Sequence, residues 1–163
     1  MYDHISIVVY LLSKGANPNV QDIYGLTPLH MAVTPECLAI LLVNGKADCS
    51  TCDHLGRTVL HHCCENGRSQ CVEFLLEFGM SSAAVDRSGR TSLHIACSYS
   101  SQQCIVSLLR ADKSCIDHKD KNGWTPLHLA AGRFDLMGAV TLLRHGADPN
   151  IRDTYHRTAL HIA

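Results

Sequence analysis

The stretch Gly123-Trp124-Thr125-Pro126-Leu127-His128-Leu129-Ala130 decides the fold, because the chain repeats it. Related stretches are GLTPLHMA from Gly25, GRTVLHHC from Gly56, GRTSLHIA from Gly89 and HRTALHIA from His156. Each is preceded, three residues back, by an aspartate, and successive aspartates are 31, 33, 34 and 33 residues apart: Asp22, Asp53, Asp86, Asp120 and Asp153. Self-similarity at a period near 33 residues indicates a protein built from stacked repeats.

Each repeat carries the signals for two helices. The threonine of each motif is a good N-cap. In two copies it is followed by a proline, Pro28 or Pro126, at the first helical position, where a missing N–H is harmless. A Leu-Leu pair then marks a second helix, as in Leu41-Leu42, Leu75-Leu76, Leu108-Leu109 and Leu142-Leu143. We expect a left-handed C-cap at the glycine three residues after a pair, which is Gly15, Gly45, Gly79 or Gly146. Asp112 occupies the equivalent position after Leu108-Leu109.

The T-P-L-H and L-L-x-x-G patterns resemble the ankyrin repeat, and the resemblance covers essentially the whole chain. It implies an all-α ankyrin-repeat solenoid of stacked helix-turn-helix units with β-turn finger loops, forming one array over residues 1–163. The expected units are a partial repeat at 1–21, full repeats at 22–52, 53–85, 86–119 and 120–152, and a partial repeat at 153–163. Terminal units lack a neighbour on one side, so we expect residues 1–12 and 154–163 to fray, as in a piece of a longer array.

Two departures from the pattern predict local irregularity. The repeat from Asp22 has three fewer residues between its two helices and one more in the following loop, which predicts a shortened helix pair; Thr34 would cap the second helix, with Pro35 at its first position. His156 replaces the glycine of the last turn, where it should cost about 1 kcal/mol.

The composition limits the classes of partner. The net charge is −1 and the isoelectric point is near 6.8, which does not favour general attraction to nucleic acid, and the apolar runs fall short of the ~20 residues that span a bilayer. Nine cysteines form no disulfide-like framework, which favours a reducing intracellular compartment, the cytoplasm or nucleus. We expect a monomer without cofactors.

The segments His61-His62-Cys63-Cys64 and Cys49-Ser50-Thr51-Cys52 suggest a zinc site, but the repeat explains most of them. His61 is the T-P-L-H histidine, which in the family has a structural role near the neighbouring turn, and Cys63 stands where other repeats have alanine. Buried packing is the favoured interpretation for these thiols. Metal or redox sensing through cysteine and histidine remains a second alternative.

No catalytic or nucleotide-binding motif is present, so the sequence predicts that these residues are not an enzyme. The resemblance implies a protein-interaction module, a scaffold or adaptor that binds a partner across its concave face and turn tips. The alternative is a regulatory ankyrin segment of a larger enzyme, ubiquitin-ligase component or channel. Asn150 also stands in a context that resembles hydroxylated ankyrin asparagines, whereas the plainer interpretation is a loop-capping residue.

The positions that the repeat pattern leaves free predict where the partner binds. They are the turn tips, the position before each threonine and the end of the first helix: Tyr24, Leu26, Leu55, Arg57, Arg87, Arg90, Tyr99, Lys121, Trp124, Arg133, Tyr155 and Arg157. Arginine and tryptophan are enriched at binding hot spots. We therefore expect an acidic partner segment with apolar anchors. In the alternative interpretation, the basic side chains pair with the aspartates of their own turns, and Trp124 packs against the next turn.

Overall fold

The computed structural model describes residues 5–163. In that range it contains ten α-helices and one π-helical segment, Ile40–Asn44, which continues α3. The helices are α1 (Ile5–Ser13), α2 (Pro28–Met31), α3 (Pro35–Ala39), α4 (Val59–Glu65), α5 (Ser69–Glu77), α6 (Ser92–Ser98), α7 (Gln102–Ala111), α8 (Pro126–Gly132), α9 (Leu136–Arg144) and α10 (Ala159–Ile162). An isolated antiparallel bridge joins Val85 and Thr91. The all-α repeat fold expected from the sequence is confirmed.

The helices form two layers. The first helices of successive units pack side by side, α4 on α6, α6 on α8 and α8 on α10, while the second helices pack as α5 on α7 and α7 on α9. Leucines of the repeated motif fill the space between the layers, and Cys63, Ala96 and Ala130 are fully buried at one equivalent position. Small side chains there let neighbouring helices approach closely, so the core continues from unit to unit.

The five first helices begin as the sequence predicts. The threonine N-caps have extended backbones, and each pairs with the histidine three residues later in a capping box. In α4, the backbone N–H of Thr58 donates to His61 Nδ1 over 3.2 Å. Histidine takes the place that glutamate or glutamine usually has in this motif, which explains why the pattern requires histidine there.

The turns form a hydrogen-bonded ladder. Within a turn, one carboxylate oxygen of the aspartate accepts from the N–H groups two and four residues later, as Asp53 does from Leu55 and Arg57 at 2.8 Å each. One backbone bond joins each turn to the next; His54 donates to the Tyr24 carbonyl and Arg87 to the Leu55 carbonyl. The tips are therefore held in a fixed row although they lie at the surface.

The turn glycines are required by both conformation and space. Gly123 has a φ of 76°, and a Cβ at this position would lie 2.9 Å from the backbone nitrogen of Thr154 in the next turn. His156 adopts the same left-handed conformation with a φ of 61°. The strain expected from the sequence at His156 thus has a structural basis.

The repeat from Asp22 is shortened, as predicted: α2 has four residues and α3 has five. Thr34 caps α3 by accepting from the Cys37 N–H, with Pro35 at the first helical position. The predicted left-handed cap at Gly45 is wrong, because Gly45 has a φ of −80° and Lys46 takes the left-handed conformation with a φ of 53°. The π-helical segment absorbs the extra residue and moves the cap by one position.

The predicted left-handed cap at Asp112 is also wrong, because its backbone is extended with a φ of −155°. Its carboxylate instead accepts hydrogen bonds from the hydroxyls of Ser82 and Ser114. These bonds fix the loop after α7 without a left-handed residue. The glycines at the other regular positions, Gly15, Gly79 and Gly146, do have positive φ.

Candidate protein-binding surface

Histidine bridges fix the distance between neighbouring turns. Because Nδ1 of His61 accepts a backbone N–H, the proton of the neutral ring lies on Nε2, which donates to the Arg90 carbonyl over 3.0 Å. His30, His94 and His128 bridge in the same way to the carbonyls of Arg57, Trp124 and Arg157. Burial lowers the pKa of His94 to about 4, so this ring is neutral at physiological pH.

The second residue after each aspartate lies on the surface of its turn. This row consists of Tyr24, Leu55, Ser88, Asn122 and Tyr155, and all five are exposed. Tyr24 is 65% exposed, Leu55 54% and Tyr155 74%. Leu55 stays exposed although turns flank it on both sides. Single exposed apolar side chains are common, whereas grouped ones, such as Tyr24 and Leu55 in adjacent turns, are typical of protein contacts.

The arginines before the threonines pair with the aspartates of their own turns. Arg57 Nε lies 2.8 Å from Asp53 Oδ2, and Arg90 and Arg157 make equivalent contacts with Asp86 and Asp153. Burial alone would raise the pKa of Asp153, but hydrogen bonds from the backbone and side chain of Arg157 lower it to about 2. These three arginines follow the alternative interpretation of local pairing.

Trp124 is half-buried and packs against its surroundings. Its ring stacks near His128 with centroids 6.2 Å apart, and the guanidinium of Arg157 in the next turn lies 6.0 Å from its centroid. The same guanidinium lies 5.0 Å from the ring of Tyr155. Trp124 thus contacts the next turn, as the alternative interpretation supposed.

A polar network that the sequence did not predict joins the turn at Asp53 to α4 and to the end of α6. His62 Nε2 donates to Asp53 Oδ2 over 2.9 Å, and Arg57 Nη1 donates to Glu65 Oε2 over 2.7 Å. The Tyr99 hydroxyl completes the network by donating to Glu65 Oε1, a bond that raises the pKa of Tyr99. The signal in the sequence was His62, which stands where other repeats have Met31, Ile95 and Leu129.

The remaining predicted residues are less constrained. Arg87, Lys121 and Arg133 are exposed, and Leu26 is half-buried. Within residues 5–163, neither Arg87 nor Lys121 has a carboxylate at ion-pair distance. Ile23, outside the predicted set, is 81% exposed. The predicted residues thus divide into a paired inner column and a freer outer row.

Seven of the nine cysteines are buried. Cys63 and Cys64 are fully buried, Cys49 is half-buried and Cys52 is exposed. Burial raises the pKa of Cys97 well above its ordinary value, which makes this thiol a poor nucleophile. In the part of the chain that the structure describes, no three His, Cys, Asp or Glu side chains are grouped to hold a metal ion.

Two further expectations from the sequence concern Asn150 and membrane insertion. Asn150 is exposed, and its backbone N–H donates to Asp148 Oδ1 over 2.8 Å, so the aspartate makes the loop-capping bond. Among the helices of residues 5–163, none has the length and apolar character needed to cross a bilayer.

Comparison with known proteins identifies the family. The model described as "Ankyrin repeats (3 copies)" matches residues 1–82 and 34–117, and the model "Ankyrin repeat" matches residues 122–154. The chain therefore belongs to the ankyrin-repeat family. As an ankyrin array, it is a protein-interaction module, and the match indicates a protein partner.

The curated relatives are longer proteins. The chain is 34% identical over 163 residues to the B-cell lymphoma 3 protein homolog of Mus musculus, an alignment that covers 96% of this chain and 36% of that protein. It is 33% identical over 164 residues to the human B-cell lymphoma 3 protein, covering 97% and 36%. It is 35% identical over 153 residues to palmitoyltransferase AKR1 of Lachancea kluyveri, covering 90% and 16%. The chain thus spans about a third or less of these relatives.

Proposed function

We propose that this array is a non-catalytic scaffold or adaptor that binds a partner protein across its concave face and turn tips. The observation that carries this proposal is the row of exposed apolar side chains, Tyr24, Leu55 and Tyr155, on a hydrogen-bonded ladder. A preorganised row loses little conformational entropy on binding, so its apolar area contributes to affinity. The chain acts as a monomer, without a cofactor, in the cytoplasm or nucleus.

The proposed contact set keeps the twelve residues predicted from the sequence but divides their roles. The outer side chains, Tyr24, Leu55, Arg87, Lys121, Arg133 and Tyr155, contact the partner directly. The half-buried or networked side chains, Leu26, Arg57, Arg90, Tyr99, Trp124 and Arg157, shape the surface. This surface extends over the four full repeats between residues 22 and 152 and into the partial repeat at 153–163. The partner is a segment that combines apolar anchors with acidic residues, which complement the unpaired cations.

The experiment is affinity capture followed by binding with purified components. Partners captured by wild-type protein are expressed alone and titrated against wild type and against the double variant Leu55→Ser, Tyr155→Ser. The matched control is Val43→Ser, because Val43 is an exposed apolar residue away from the turns. Leu76→Ser would be unsuitable, because the Leu76 side chain packs against the core. Loss of binding in the double variant alone supports the proposal, and equal binding by all three proteins contradicts it.

A second candidate is a regulatory array within a larger protein. Its support is the similarity to a palmitoyltransferase of which the chain covers 16%. In that case the partner surface contacts another domain of the same polypeptide. Binding in cis would be concentration-independent, so crosslinking within the full-length protein at high dilution separates it from binding in trans.

A further inference from the structure

The first three turns bring two apolar side chains and an unpaired cation together. The Tyr24 carbonyl accepts from the N–H of His54, and the carbonyl of the next residue, Leu55, accepts from the N–H of Arg87 over 2.9 Å. Tyr24, Leu55 and Arg87 therefore lie in one connected stretch of the ladder, which we call the three-turn patch. Each of its side chains is exposed.

We propose that the three-turn patch is the main contact of the protein partner, and that it binds an extended segment in which an apolar residue lies next to Asp or Glu. This inference rests on the proposed function and gives it a location and a partner chemistry. Tyrosine and arginine are the residue types that dominate binding energy in interfaces. The apolar residue packs on Tyr24 and Leu55, and the carboxylate pairs with Arg87.

The charges along the patch set its direction. At the Tyr24 end, Asp22 is exposed, and position 26 holds leucine, so this turn lacks the arginine that neutralises Asp53 in the next turn. At the other end, Arg87 is exposed, and within residues 5–163 it has no carboxylate at ion-pair distance, whereas Arg90 already pairs with Asp86. A carboxylate is repelled near Asp22 and attracted near Arg87, so the acidic residue of the segment lies at the Arg87 end.

The C-terminal turns offer a poorer contact although they also contain a tyrosine. Between the patch and Tyr155, the residues at the same turn position are Ser88 and Asn122, which are polar. Beside Tyr155, the guanidinium of Arg157 is engaged by Asp153 and by the tyrosine ring. Engaged groups must lose these contacts before they bind a partner, which reduces the gain. Tyr155 therefore serves to compare the two ends of the row, because it has the same turn position as Tyr24 and a similar exposure.

The test is selection of random 12-residue peptides displayed on phage against the folded wild-type chain. Enriched peptides are synthesised and titrated against wild type, Tyr24→Ser with Leu55→Ser, Arg87→Glu, Tyr155→Ser, and the control Val43→Ser, which changes an exposed apolar residue away from the turns. Circular dichroism first establishes that all variants are equally helical. The expected peptides carry an apolar residue next to Asp or Glu. They bind the patch variants at least about tenfold more weakly than wild type, whereas the control binds them less than about twofold more weakly.

The outcomes separate the patch from the proposed function. Peptides that are rich in Lys or Arg, or that bind the patch variants as well as wild type, overturn the patch. If such peptides are lost by Tyr155→Ser instead, protein binding stands and its location moves to the C-terminal turns. No enrichment above selection on an unrelated helical protein contradicts both proposals.

Discussion

His61 Nε2 lies 3.0 Å from the backbone carbonyl of Arg90, which is one repeat further along the chain. The same ring caps the start of α4 through Nδ1, so one side chain holds the end of its own helix and the position of the next turn. The row of turn tips, and therefore the proposed binding surface, depends on these histidines. Their contribution can be measured as stability.

Replacement of His61 by alanine should destabilise the array by about 2 to 4 kcal/mol, since it removes the cap and the bridge and leaves a cavity. His161→Ala is the control, because His161 caps α10 and is exposed, and its Nε2 has no bonded partner within the described residues. The control should cost about 1 kcal/mol or less. Urea unfolding measures both, and equal losses would contradict a role for the bridge.

Stability should fall as the pH falls from 7 to 5. Burial, the largest cause, lowers the pKa of His30, His61 and His94 below the ordinary value of 6.5, and that of His94 to about 4. The unfolded chain therefore binds protons that the folded chain excludes, and the stability present above pH 6.5 is lost toward pH 4. His94 alone contributes about 2 kcal/mol between pH 7 and pH 5.

Urea unfolding at several pH values tests this dependence. Asp153 does not confuse the result, because its pKa is lowered and it costs stability only below its ordinary value of 3.8. A free energy of unfolding that stays constant or rises between pH 7 and pH 5 would exclude buried neutral histidines.

Much of this arrangement follows from the sequence, because each repeat carries the same signals at equivalent positions. The threonine caps, the turn glycines and the buried leucines recur in register, so their roles could be inferred without coordinates. The cap at Lys46 could not, because a π-helical segment and a longer loop use the same number of residues. The pairing of Arg57, Arg90 and Arg157 with their own aspartates is one of two interpretations that the sequence leaves open, since a carboxylate of a partner could occupy the same guanidinium groups.

His156→Gly should stabilise the array by about 1 kcal/mol, because glycine adopts the left-handed conformation without strain. Gly123→Ala tests the same position in a turn that has a successor. There the new Cβ meets the backbone of Thr154, so a loss of at least about 2 kcal/mol is expected. Thermal unfolding followed by circular dichroism would rank the variants as His156→Gly, wild type, Gly123→Ala. Any other order would contradict the assigned backbone strain.

In the folded protein, only Cys49 and Cys52 should react with a thiol reagent on the time scale of minutes. The other seven cysteines are buried and should react at the rate of unfolding. Cys52 should still react within that time but more slowly near neutral pH than an ordinary exposed thiol, since burial and the nearby carboxylate of Asp53 raise its pKa. Titration with a chromogenic disulfide, with and without urea, counts both classes. Rapid reaction of Cys63 or Cys64 in the native state would revive a redox role.

Site-specific photocrosslinking tests directly whether a partner binds along the turn tips. A photoreactive phenylalanine replaces Ser88, which lies in the middle of the outer row, or Glu77, which is exposed at the end of the second helix α5. We expect the captured partner to crosslink from position 88 and not from position 77. Crosslinking from position 77 alone would show that the partner binds the second-helix face and not the turn tips.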